Sequence, residues 1–172
     1  MGSHFITLHA CALENVRSML GSRDRAILKR LENDERNEHE QALGELIDGT
    51  YDKDDSAQSA GLIRAFELLC KLVSKHSVTI EMYDDEEEAP LLWSLCWEGE
   101  DAIELPISDE GTPAVTYHAP GTVKKLLPEF QKLKKKGGYD EQYLNSDSLA
   151  DILKALEAAS SMKCGLFGFV EY

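Results

Sequence analysis

The sequence predicts a single α+β domain spanning residues 1–172, with a mixed or mainly antiparallel sheet, a central hairpin and four to six packed helices. Three observations lead there. Residues 77–98 alternate apolar and polar side chains with a period of two on either side of an acidic loop. Several longer segments repeat apolar residues at helical spacing. Strands and helices then alternate too irregularly for a doubly wound sheet. A chain of 172 residues can bury about 70% of its unfolded surface around one core, so no staple is needed.

In the hairpin, Val78, Ile80 and Met82 alternate with Thr79, Glu81 and Tyr83 to give a strand over residues 78–83. Its partner is expected over residues 91–97, where Leu91, Trp93, Leu95 and Trp97 alternate with Leu92, Ser94 and Cys96 and both tryptophans share a face. The loop between them holds Asp84, Asp85, Glu86, Glu87 and Glu88.

Ahead of the hairpin, residues 4–10 read as a strand with His4, Ile6 and Leu8 on one face and Phe5, Thr7 and His9 on the other. Both faces carry apolar groups, the mark of a strand covered on both sides. Leu13, Val16 and Leu20 suit a short helix closed by Gly21, and Ser22 or Asp24 can cap a second carrying Ile27, Leu28 and Leu31. Residues 32–41 have no apolar side chain, and the stripe resumes at Ala42, Leu43, Leu46 and Ile47. That span is open between one solvent-crossing helix and two helices with a polar joint. Residues 56–74 form the clearest long helix, striped by Leu62, Ile63, Phe66, Leu69, Cys70 and Val73.

Beyond the hairpin, residues 102–107 suit a short strand that Pro106 confines to an edge, and residues 114–118 suit another. Val123, Leu126, Leu127, Phe130 and Leu133 place a helix over residues 121–136, which Pro128 should kink or restart. A helix over residues 145–161 is expected to open on a capping box of Ser148 and Asp151. The apolar CGLFGFVEY closes the chain as a strand, placed beside the first.

The formal charge of -14 disfavours nucleic acid, whose binding rests on Lys and Arg displacing counterions. No apolar run approaches the ~20 residues that span a bilayer, and the N-terminus does not have the form of a secretory signal, so a cytosolic compartment is expected. Cys11, Cys70, Cys96 and Cys164 are scattered among apolar neighbours without a CxxC pair and read as buried thiols. There is no phosphate-binding glycine loop, nucleophile elbow or HExxH, and His39 alone on a charged stretch is weak as a ligand. No cofactor or metal is expected, and oligomeric state is not legible.

Acid is unevenly spread. Residues 32–55 carry ten acidic side chains against Arg36 and Lys53, while Lys124, Lys125, Lys132, Lys134, Lys135 and Lys136 gather near one helix end, where they suit its dipole. Solvated faces are the plain account. The sharper one is a non-enzymatic interaction or regulatory protein that presents an acidic surface to a basic protein, with Asp84, Asp85, Glu86, Glu87, Glu88 and Trp97 as contact residues. The alternative is a small enzyme or ligand-binding domain with a pocket of His4, His9, Glu104, Tyr117 and His118 near the hairpin, and Cys11 or Cys96 as nucleophile.

The strand HFITLHA, the LENVRSMLGS after it, and the closing order of lysine-rich helix, amphipathic helix and apolar strand resemble the bacterial YfbM-like proteins. The resemblance lies at both ends of the chain and excludes the acidic middle. It implies a cytosolic α+β domain with an accessory role, similar to that of immunity proteins that neutralise toxins, and it carries over no catalytic residue.

Overall fold

Four strands form one antiparallel sheet in which no two neighbours are joined by a tight turn. The computed structural model describes residues 3–105 and 114–171. The strands are β1 (His4–Cys11), β2 (His76–Met82), β3 (Ala114–His118) and β4 (Gly165–Glu171), in the spatial order β2-β1-β4-β3. The helices are α1 (Leu13–Arg17), α2 (Asn33–Glu38), α3 (Glu40–Asp48), α4 (Ser59–Val73), α5 (Pro90–Trp97), α6 (Pro120–Lys135) and α7 (Ser146–Ser161), with short 3-10 turns at Arg25–Arg30 and Ser56–Gln58. The domain is α+β, as its sequence indicates.

The two central strands come from the two ends of the chain. Leu8 stands opposite both Val78 and Gly168, so β1 is paired along both edges. Ile6, Leu8, Ala10, Ile80, Met82, Leu166 and Val170 face a core shared with α5, α6 and α7. Cys11, Tyr117, Phe167 and Phe169 face the other core, which α1, α3 and α4 close. The sheet is therefore covered on both faces, which explains why β1 and β4 carry apolar side chains on both faces. Two glycines of β4 make room. A Cβ on Gly165 would stand 2.4 Å from the Tyr117 ring, and one on Gly168 would meet Thr116 at 2.7 Å.

The structure corrects the central hairpin. Residues 91–97 form α5, not a second strand. Leu92, Leu95 and Cys96 are the buried residues, and their spacing is helical. Pro90 is in the first turn, where its missing amide costs nothing. Asp85 Oδ1 accepts from the amides of Glu87 and Glu88, both at 2.9 Å, and turns the chain into the helix. The tryptophans do share a side, with ring centroids 5.9 Å apart. A spacing of four residues gives that result with either period, so the pair could not decide between strand and helix.

Smaller differences follow the same logic. Residues 32–47 resolve into α2 and α3, broken at His39 with φ -116. The described residues hold four strands and seven α-helices, against the expected five or so strands and four to six helices, because α5 replaces a strand and residues 102–105 form none. The rest of that expected edge strand, including Pro106, lies outside the described residues. Helix α6 runs through Pro128 without restarting. The cap of α7 is Asn145, whose Oδ1 accepts from the Ser148 amide at 2.8 Å, while Asp151 pairs with Lys154 at 3.0 Å.

Phe66 of α4 rests on both aromatics of β4, with centroids 5.6 Å from Phe167 and 5.9 Å from Phe169. Phe66→Ala is expected to cost about 3–5 kcal/mol of stability, and Gly165→Ala about 1–3 kcal/mol by overpacking against Tyr117; denaturant unfolding measures both.

Candidate functional site

A buried polar cluster lies where β1, β2 and α5 meet. The register sets His4 directly opposite Met82, with both side chains on the face covered by α5. Two residues further on, Asp84 turns back toward the sheet, and α5 brings Cys96 down from above. His4 Nδ1 lies 3.3 Å from Asp84 Oδ1. Cys96 Sγ lies 3.9 Å from His4 Nε2 and 3.6 Å from Met82 Sδ. Trp97 Nε1 donates to Asp84 Oδ2, which holds the carboxylate from its other side. His4 is 1% exposed, Cys96 1%, Met82 3%, and the Asp84 side chain 8%.

Electrostatics sets the protonation of this cluster. Burial lowers the His4 pKa and outweighs the opposing pull of Asp84, so the ring is neutral near pH 7. A carboxylate beside Nδ1 favours the tautomer with its proton there and turns the Nε2 lone pair toward Cys96. Burial, reinforced by the Asp84 charge, pushes the Cys96 thiol far above its ordinary value. Sulfur, imidazole and carboxylate stand in the order of a nucleophilic triad, but a thiol held this firmly in its protonated form is not a nucleophile.

The remaining pocket candidates do not gather here. His118 is on the same face of the sheet as His4 but at the opposite end of its strand direction, level with Ala10. Its Nε2 donates to the Leu95 carbonyl at 2.9 Å, and burial lowers its pKa. His9 and Tyr117 face the other core. His9 Nδ1 is 2.7 Å from Ser77 Oγ, its Nε2 is 3.5 Å from Glu67, and Tyr117 packs on Phe167 with centroids 4.6 Å apart. Cys11 is buried in that second core. Glu104 is exposed and paired with Lys53. The set of His4, His9, Glu104, Tyr117 and His118 is thus divided among both faces and the surface.

The contact residues divide as well. Asp84 points inward, Asp85 caps the turn, and the Trp97 indole nitrogen is taken up by Asp84. Glu86, Glu87 and Glu88 remain exposed. Sequence reading passed over Met82 as a functional group, because only the β1–β2 register brings it beside His4.

A second feature lies on the other layer. A groove of about 410 Å³ runs between the α2–α3 joint and the start of α4. Ala42, Gly61 and Leu62 form its apolar part, and Glu38, His39 and Glu45 its polar part. Glu38 has no ion-pair partner among the described residues.

The chain belongs to the family described as domain of unknown function DUF7691, which matches residues 2–171. No curated protein and no solved structure matches it. Among the described residues, no helix is long and apolar enough to cross a membrane.

Two measurements follow from the protonation states. Native protein at neutral pH should leave Cys96 unmodified by iodoacetamide, with labelling only on unfolding; rapid native labelling of Cys96 would restore the nucleophile. His118, with a pKa below its unfolded value of about 6.5, takes up its proton more readily when unfolded. Stability should therefore fall as pH drops below about 6.5, by at most about 1.4 kcal/mol per pH unit from this group, and His118→Gln should flatten that slope in urea titrations.

Proposed function

We propose that this protein is a non-enzymatic interaction or regulatory protein that binds a basic protein partner through its acidic surface. The observation that carries this reading is the α2–α3–α4 groove, where apolar surface adjoins Glu38 and Glu45. A lysine or arginine of a partner would lay its methylene stem along Ala42 and Leu62 and set its charge against the carboxylates. A formal charge of -14 steers such a partner toward the surface and raises its association rate more than its affinity. Exposed Glu86, Glu87 and Glu88 belong to the opposite layer and contribute to that long-range field. Their distance in the fold from the groove makes them a steering element and not part of one continuous face.

The proposal extends to a cytosolic setting, to which four buried free thiols are suited, and to kinship with the bacterial YfbM-like proteins suggested by both ends of the chain. Neutralising a basic toxin, as immunity proteins do, is the role within this class that fits an acidic accessory domain. The enzymatic alternative has less to support it, because its pocket residues are dispersed and its best-placed thiol is protonated and buried.

Capture from host lysate at low salt, run in parallel with wild type and a Glu38→Lys/Glu45→Lys variant, tests this directly. Wild type should retain a basic protein that elutes as salt rises, and the variant should lose it. With the partner identified, reversing Glu86, Glu87 and Glu88 should slow association by about tenfold at low salt and little at high salt. Equal retention by wild type and the groove variant, or an on-rate unmoved by charge reversal, would overturn the reading.

A further inference from the structure

We propose that His4, Met82 and Cys96 bind a single soft monovalent ion, Cu(I), in a closed site beneath α5, with Asp84 as the residue that positions His4. The donors come from three elements and converge on Cys96 Sγ. Cys96 Sγ is 3.9 Å from His4 Nε2 and 3.6 Å from Met82 Sδ. An ion holding sulfur at about 2.3 Å and nitrogen at about 2.0 Å, at tetrahedral to trigonal angles, separates two sulfur ligands by roughly 3.8–4.0 Å and a sulfur from a nitrogen by roughly 3.5–3.7 Å. The two contacts of Cys96 Sγ already stand within a few tenths of an ångström of those separations, and His4 and Met82 are paired across the two strands. The donor atoms of His4, Asp84 and Cys96 lie within 4.8 Å of one another, which keeps the carboxylate close enough to act on the site.

The chemistry of the set selects the ion. A thiolate, a thioether and an imidazole are soft or intermediate donors, and a thioether contributes little to a hard cation. Asp84 beside His4 Nδ1 supplies the outer partner that fixes ring orientation and tautomer, leaving Nε2 for the metal. Thiolate and monovalent ion cancel, so a site with His4 and Cys96 each 1% exposed takes in no net charge. On binding, the Cys96 thiol gives its proton to solvent and forms the copper–sulfur bond; the ion's oxidation state does not change. Asp84 keeps 8% of its side chain in contact with solvent and marks the side from which the ion enters. This inference is independent of the groove and of the partner it would bind.

The test uses the full chain, kept reduced and free of oxygen, with Cu(I) supplied against a chromophoric Cu(I) chelator. Circular dichroism confirms that each variant folds. Wild type should retain one equivalent. Cys96→Ser should abolish that binding, Met82→Leu, which conserves the apolar volume, should weaken it, and Asp84→Asn should weaken it roughly 10–100-fold. Cys11→Ser, at the thiol that adjoins Cys70 in the second core, should leave it unchanged. X-ray absorption of the wild-type adduct should show two sulfurs and one nitrogen around copper, which decides the matter even where Cys96→Ser does not fold. Failure to retain copper, retention undiminished in Cys96→Ser, or a copper shell lacking sulfur would overturn the proposal. So would preferential binding of one equivalent of Zn(II) that Met82→Leu leaves unaltered.

Discussion

The pairing of β1 with β4 is the constraint on which the rest of the molecule depends. These strands lie toward the two ends of the chain, yet they occupy the middle of the sheet, and apart from Phe5 and Thr7 at the start of β1 and Glu171 at the end of β4 their residues are buried on both faces. Loop closure on this scale costs conformational entropy before any ladder forms, so the apolar side chains of both strands must supply the compensation. They do so by facing two cores at once. Gly165 and Gly168 let β3 approach β4 closely, and the side chains of Tyr117 and Thr116 fill the space that those glycines leave. The helices then divide into two layers, because each face of the sheet is apolar and must be covered.

This arrangement also explains why a polar cluster can exist in the interior. His4 starts the central strand and Met82 ends its edge neighbour, so their pairing falls at a rim of the sheet. Asp84 and Cys96 reach that rim from the turn and from α5. Each polar atom finds a partner: Asp84 meets His4 on one oxygen and Trp97 on the other, and Cys96 lies between a nitrogen and a sulfur. Desolvation keeps imidazole and thiol neutral, which lowers the cost of burying them. The same neutrality makes the thiol a poor nucleophile while leaving it able to ligate a metal, since a bound ion deprotonates it.

The charge pattern has structural causes as well as a proposed use. Several acids of the 32–55 segment serve the fold: Glu35 pairs with Lys71 at 2.6 Å, Asp48 with Arg25, and Asp55 caps the turn before α4 through the Ala57 amide at 3.1 Å. The lysines of the last turn of α6 suit the negative end of its dipole. What remains after these assignments, Glu38 above all, is the acid that the groove presents.

The fold class, the apolar strands near each end of the chain and most helices were legible in the sequence alone, because those depend on local periodicity: Leu62 to Val73 or Leu149 to Leu156 allow only one reading. The sequence identified His4, Asp84 and Cys96 as separate candidates in different roles. It misread residues 91–97, where Leu, Trp and Cys are apolar enough on all sides to satisfy either period and where a four-residue spacing of tryptophans is common to both. Only the tertiary structure decided the site. The His4–Met82 pairing is a matter of register between strands separated by more than sixty residues, and the approach of Cys96 follows from α5 being a helix packed over that pair. Neither leaves a trace in linear spacing, because residues that meet across a sheet are related by the closure of the whole chain and not by any local repeat.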